Sequence, residues 1–208
     1  EALRESGQIK NTLVVFTADQ GFAMGEHGCR SKLAPYDANY RSPLIVLMPG
    51  TLPEGKVCRQ PVGGPDLVMT FHAFAGQPLP WKMHGRDLTP ILREPEKDWA
   101  YPLLFEHTGH HYGSEVAKVL KEEPEHAVYN NVPWYVALRQ GKYKYIRYLA
   151  PGEIEELYDL AADPEELTNL AQQPEQAKLL GEIRAELVTE LRRTEARFVD
   201  ELLPIAKR

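Results

Sequence analysis

The stretch Thr12-Leu13-Val14-Val15-Phe16 restricts this chain more than any other. Residues that are apolar or β-branched on both parities suit a strand covered on both faces, as inside a parallel sheet, and a short helical pattern ending at Gly7 leads into it. A second run of the same kind, Pro43-Leu44-Ile45-Val46-Leu47-Met48, stops at Pro49-Gly50. Between the two lies a Gly-rich, polar stretch from Gly21 to Tyr40. It is too long for a turn, and its length and composition predict a functional loop.

The remainder changes character. Asp66 to Ala75 reads as a helix with an acidic start and Gly76 just past its end. A proline-rich linkage is predicted from Pro78 to Pro102. Leu103-Leu104-Phe105 is a short strand candidate, and His107 to Pro133 has no clean period, as expected for an insertion or lid. Tyr135, Ala137 and Arg139 alternate with Val136 and Leu138 up to Gln140-Gly141, and Lys142 to Tyr148 resumes the pattern, which predicts a β-hairpin. Glu156-Leu157-Tyr158-Asp159-Leu160 predicts another strand. Pro174 opens a last helix with Leu180, Ile183, Leu187 and Leu191 at helical spacing. The fold class is therefore α/β: part of a mixed or parallel sheet sandwiched by helices, then a small antiparallel sheet with an amphipathic helix. A boundary near residue 100 separates 1–100 from 101–208.

Composition excludes several functions. With 43% hydrophobic and 26% charged residues, the 208-residue chain can bury a sizeable core. A formal net charge of −6 with no basic block argues against nucleic acid as a partner. No apolar run approaches the ~18 residues of a membrane-spanning helix, so no membrane role is expected. The opening, a polar helical tail running straight into a buried strand, reads as a chain that begins mid-domain. Cys29 and Cys58 allow one disulfide but form no framework.

The chemistry concentrates at Thr17-Ala18-Asp19-Gln20-Gly21, where a carboxylate and an amide oxygen meet at the carboxyl end of a strand, the usual ligand position of open α/β sheets. Taken alone, Asp19 would cap the loop and Gln20 would face solvent. As a pair they are hard oxygen donors that suit calcium or magnesium better than zinc, though two donors make no cage. Downstream follow Gly25-Glu26-His27-Gly28, Lys32, Tyr36 and Tyr40-Arg41-Ser42-Pro43.

This order resembles the type I sulfatases of the alkaline phosphatase superfamily. The resemblance continues through Arg41 to Val46, Pro49-Gly50, Asp66 to Gly76, Leu138-Arg139-Gln140-Gly141-Lys142-Tyr143-Lys144-Tyr145-Ile146 and Glu156 to Leu160. It ends in Asp163-Pro164-Glu165-Glu166-Leu167-Thr168-Asn169-Leu170-Ala171. It implies that residues 1–100 are the end of a sulfatase catalytic domain and 101–208 its C-terminal subdomain. Asp19 and Gln20 would be ligands of Ca2+, with Mg2+ as the substitute, and Lys32 would touch the sulfate group and the nucleophile. A divalent ion and an ammonium beside a sulfate ester stabilise the charge that grows on its oxygens as the S–O bond breaks. His27 stays open between bracing the loop and binding substrate, with the flanking glycines favouring the brace. Arg41 suits a pairing with a loop carboxylate such as Asp37.

The resemblance also implies what the 208 residues lack. The family's nucleophile is a formylglycine made within C-x-P-x-R, and neither Cys29-Arg30-Ser31-Lys32 nor Cys58-Arg59-Gln60-Pro61 supplies that element. The expected partners are therefore a small-molecule or carbohydrate sulfate ester and a missing N-terminal half that completes the site. A periplasmic, secreted or lysosomal location is implied for the parent. Two other readings stay open: a phosphodiesterase or phosphonate hydrolase of the same superfamily, which Gln20 argues against because a nitrogen ligand suits manganese or zinc better, and a non-catalytic or partner-completed module. Glu106-His107-Thr108-Gly109-His110-His111 is a poor helix for a metal site, and is read as a specificity loop or a solvated turn.

Overall fold

The structure, a computed structural model, describes residues 1–205. In chain order, the first elements are α1 (Ala2–Glu5), β1 (Val14–Thr17), β2 (Ala23–Met24), β3 (Arg30–Ser31), α2 (Asp37–Tyr40) and β4 (Leu44–Leu47). Then come α3 (Gly64–Ala75), α4 (Thr89–Arg93), β5 (Leu103–His107), α5 (Ser114–Glu122), β6 (Val128–Tyr129) and β7 (Val132–Pro133). The last are β8 (Tyr135–Gln140), β9 (Tyr143–Tyr148), β10 (Glu156–Asp159) and α6 (Ala177–Arg193). None of the described helices is long and apolar enough to cross a membrane. The chain divides into two compact units: residues 1–21 with 41–100, and residues 22–40 with 101–208. The segment 22–40 thus belongs with the C-terminal unit, whereas the sequence alone assigns it to the first hundred residues.

In the first unit, β1 and β4 pair with Val14 opposite Leu47 and Thr17 opposite Leu44. They run antiparallel, whereas the doubly apolar pattern of β1 predicts a parallel neighbour. Phe16, Ile45 and Leu47 lie on one face of this ribbon and are exposed, at 63%, 56% and 40%. Helix α3 starts and stops as its sequence dictates. Asp66 Oδ2 accepts the Gly63 N–H at 2.8 Å, and Gly76 turns left-handed at φ 60 after the last residue. The buried Asp66 also accepts the Arg86 N–H at 2.7 Å, and Thr70 Oγ1 accepts that of Leu88 at 2.9 Å. The predicted proline-rich linkage is therefore more than a linker, because its apolar residues Leu88, Ile91 and Trp99 bury themselves with Val62 and Leu67.

The second unit is a four-stranded sheet in the order β10-β9-β8-β5. The predicted hairpin forms with Gln140 opposite Tyr143, and Gly141 takes the positive φ of 56 that the tight connection needs. Strand alternation gives the sheet two apolar faces. On one face Val136, Leu138, Tyr145 and Leu157 meet Leu180, Ile183, Leu187 and Leu191 of α6, the four positions expected from helical spacing. Val116 and Leu120 of α5 join the same core, so part of the aperiodic 107–133 stretch is an amphipathic helix with one buried edge. The other face carries Tyr135, Ala137, Ile146 and Tyr158, and against it pack Tyr36 and Tyr40 from the 22–40 segment. That second face anchors the loop predicted to be functional.

Candidate functional site

The residues expected to carry chemistry fall on both units. In the first, β1 ends at Thr17, and Asp19 follows two residues later in an exposed position beside the half-buried Gln20. Asp19 Oδ1 accepts the Gln20 N–H at 2.9 Å. This local bond turns the chain as the strand ends and leaves two oxygen-donor side chains adjacent in sequence. Their donor type fits a hard divalent cation, while the six to eight oxygens, roughly, of a calcium shell exceed what two side chains supply. Among the described residues, no group of three or more His, Cys, Asp or Glu side chains is arranged to hold a metal.

In the second unit the Gly25-Glu26-His27-Gly28 element is a tight turn. Glu26 Oε2 accepts the Met24 N–H at 2.6 Å, and the Cys29 N–H donates to Glu26 O at 2.8 Å. Backbone N–H groups, its own first and then that of Met24, hold the Glu26 carboxyl below the usual carboxylate range. Gly25 at φ 137 and Gly28 at φ 68 take conformations that disfavour a Cβ. His27 itself is left-handed at φ 54, an unusual state for a residue with a side chain. Its ring stacks on Tyr36 with centroids 3.7 Å apart, and its Nε2 donates to the Glu165 carbonyl at 2.8 Å. The structure thus gives His27 a bracing contact to the C-terminal Asp163–Ala171 signature. Lys32 follows β3 and is exposed.

Beneath this loop lies a cluster that the sequence reading misses. Lys144 of β9 is fully buried, with Nζ 2.9 Å from Asp37 Oδ1 and 2.8 Å from Glu166 Oε1. Glu166 is also buried, and its second oxygen accepts the Asp37 N–H at 2.6 Å. Arg139 Nη1 stands 3.4 Å from the other Asp37 oxygen. Two cations and two carboxylates thereby neutralise one another. Burial pushes the Glu166 carboxyl up from its ordinary value, and Lys144 pulls against that shift. Within this unit Asp37 is paired with Lys144 and Arg139. The available signal was Lys144 sharing a strand face with the apolar Ile146, which demands a buried counter-charge.

The histidine run is partly packed rather than a fully solvated turn, with His107 and His111 half-buried and His110 exposed. His107 ends β5 with its ring 5.3 Å from that of Tyr135, and His111 lies 5.0 Å from the Trp134 ring. Between them Thr108 closes a turn, its Oγ1 donating to the His111 carbonyl at 2.8 Å. Cys29 and Cys58 are both free thiols in this structure.

Known proteins resemble this chain over most of its length. The family model described as N-sulphoglucosamine sulphohydrolase, C-terminal, matches residues 25–194, a stretch that includes His27, Lys32 and the whole buried cluster. The chain is 29% identical over 201 residues to the N-acetylglucosamine-6-O-sulfatase of Bacteroides thetaiotaomicron, covering 95% of this chain and 32% of that protein. A solved structure of a protein in complex with its substrate D-glucosamine-2-N,6-O-disulfate is similar with a TM-score of 0.79 at 28% identity, over 96% of this chain and 38% of the other. The phosphonate monoester hydrolase from Silicibacter pomeroyi is similar with a TM-score of 0.72 at 26% identity, over 95% and 38%. The chain spans about a third of the length of the curated relatives it matches.

Proposed function

The chain belongs to the sulfatase family described as N-sulphoglucosamine sulphohydrolase, C-terminal, and from that premise we propose that it is the C-terminal portion of an enzyme hydrolysing sulfate esters of carbohydrates. The observation that carries the reading is the exposed Lys32 on a loop braced through His27 and Asp37 to a buried scaffold, all within the matched stretch. In this reading Lys32 binds a sulfate oxygen as a point charge, without the flat, forked acceptor an arginine prefers. Asp19 and Gln20 contribute two oxygens to a Ca2+ or Mg2+ site whose remaining ligands lie outside these 208 residues. The cation, when bound, supplies positive charge beside the ester oxygens. The nucleophile, a formylglycine, likewise comes from sequence outside the chain, and the export implied by the resemblance belongs to the same proposal. His27 supports the loop and stands close enough in sequence to Lys32 to be retained as a substrate-binding candidate.

The similarity to a phosphonate monoester hydrolase favours one competing reading, because any tetrahedral oxyanion suits this charge arrangement. The test is turnover by the full-length protein of 4-nitrophenyl sulfate and of N- and O-sulfated glucosamines, beside phenyl phosphonate esters. Preference for the sulfates, with kcat reduced about 100-fold or more by Lys32→Ala, is the expected result for a lost charge contact in the transition state. Preference for the phosphonates would transfer the assignment to the second reading, and unchanged kinetics in Lys32→Ala would remove Lys32 from the site.

A further inference from the structure

The carbonyls of the two residues that flank Lys32, Ser31 and Leu33, are both held by buried side chains. Asn39, 1% exposed, donates its Nδ2 to the Ser31 carbonyl at 2.5 Å. Tyr135, also 1% exposed, donates its hydroxyl to the Leu33 carbonyl at 2.8 Å, and that hydroxyl lies 2.5 Å from the Tyr40 hydroxyl. Asn39 and Tyr40 belong to α2, whose first residue, Asp37, is gripped by Lys144 and Glu166. Tyr135 belongs to β8, in the middle of the four-stranded sheet. Ser31 is left-handed at φ 82, a conformation a serine adopts only where its surroundings hold it.

We propose that Asn39 and Tyr135 are positioning residues that fix the backbone on both sides of Lys32, so that the C-terminal sheet sets the place of the sulfate-binding ammonium. The proposal rests on the assignment of Lys32 made above. Its physical basis is preorganisation. A lysine carries about 2 kcal/mol of rotamer entropy, and its charge contributes to the transition state only to the extent that its stem starts from a fixed point. Two hydrogen bonds, to the carbonyls of the residue before and the residue after Lys32, restrict the backbone share of that freedom. Both positioning groups are buried, so in this proposal they act through the loop backbone and not by direct contact with substrate.

The test is a double-mutant cycle in the full-length enzyme on the sulfate ester it turns over best. Tyr135→Phe keeps the ring and removes the donor, and Asn39→Ala removes the other donor without using the sheet, which covers the case of one variant failing to fold. Each is expected to lower kcat by about tenfold to a hundredfold with KM little changed, the scale of a small misplacement of a catalytic group. In the Lys32→Ala background the same substitutions are expected to change kcat less than about twofold, because the group they position is gone. Equal losses with and without Lys32, or full activity in both single variants, would overturn the inference. Unchanged activity in Lys32→Ala alone would instead fault the assignment of Lys32, and the inference would fall with it.

Discussion

The imidazole of His27 lies flat on the ring of Tyr36, with centroids 3.7 Å apart and planes 6° from parallel. A histidine in the left-handed region costs roughly 1 kcal/mol of backbone strain, so the stack and the Nε2 bond to Glu165 must offset it. Tyr36 in turn packs against the sheet face of Tyr135 and Ile146. The Gly25–Gly28 turn is thereby tied to a rigid layer through one aromatic pair.

Replacing His27 by alanine removes the stack and the hydrogen bond and keeps the strain. A loss of about 1 to 2 kcal/mol is expected, from one net hydrogen bond and one aromatic contact. His27→Gly loses the same contacts and relieves the strain, so it should be the milder variant. Urea denaturation of both checks the order, and a His27→Gly protein less stable than His27→Ala would show that the left-handed turn is not retained.

The buried charges predict an asymmetry between two substitutions. Lys144→Ala leaves the buried Glu166 and the partly buried Asp37 facing each other without their shared cation, which should cost about 3 to 5 kcal/mol. Glu166→Gln keeps an oxygen to accept the Asp37 N–H and removes one charge from a cluster of four, leaving it one positive charge in excess. Its cost should be clearly smaller, about 1 to 3 kcal/mol. Equal losses in thermal or urea unfolding would mean that packing, and not charge balance, sets the stability of this layer.

Period and turn chemistry made the C-terminal unit readable. The hairpin at Gln140-Gly141, the strand at Glu156 and the four inward leucine and isoleucine positions of α6 all follow from local pattern. The role of residues 22–40 was not readable, because their partners lie some hundred residues away: Asp37 with Lys144, Tyr40 with Tyr135, His27 with Glu165. A charge on an inward strand parity, as at Lys144, announces that a partner exists without saying which carboxylate supplies it. The direction of β1 against β4 was hidden for a related reason. Apolar residues on both parities report that both faces are meant to be covered, and say nothing about which way the neighbour runs.

His107 links the sheet to pH. Burial lowers its pKa below the ordinary 6.5, so the folded unit favours the neutral ring. A folded pKa below the unfolded one means that the unfolded chain binds more protons in this range. The contribution to stability is then fully present above about 6.5 and is lost as pH falls through the folded value. Melting temperatures of the wild type and of His107→Gln, measured from pH 7.5 down to pH 5, should converge as pH falls. A difference that does not change with pH would show that the ring is not the titrating group.

The two thiols should react at very different rates. Cys58 is exposed, whereas Cys29 is partly covered and its thiol pKa is raised, first by burial and then by the negative charge of Glu156. The thiolate is the reactive form, so a higher pKa and poorer access act in the same direction on Cys29. Titration with a chromogenic disulfide reagent at pH 8 should release one equivalent quickly from Cys58 and a second at least about tenfold more slowly, with Cys58→Ser removing the fast phase and Cys29→Ser the slow one. Unfolding in urea should merge the phases, because both environments vanish. Failure to label either thiol before reduction would mean that a Cys29–Cys58 bridge forms, and a fast phase that survives Cys58→Ser would mean that Cys29 is not covered as its burial indicates.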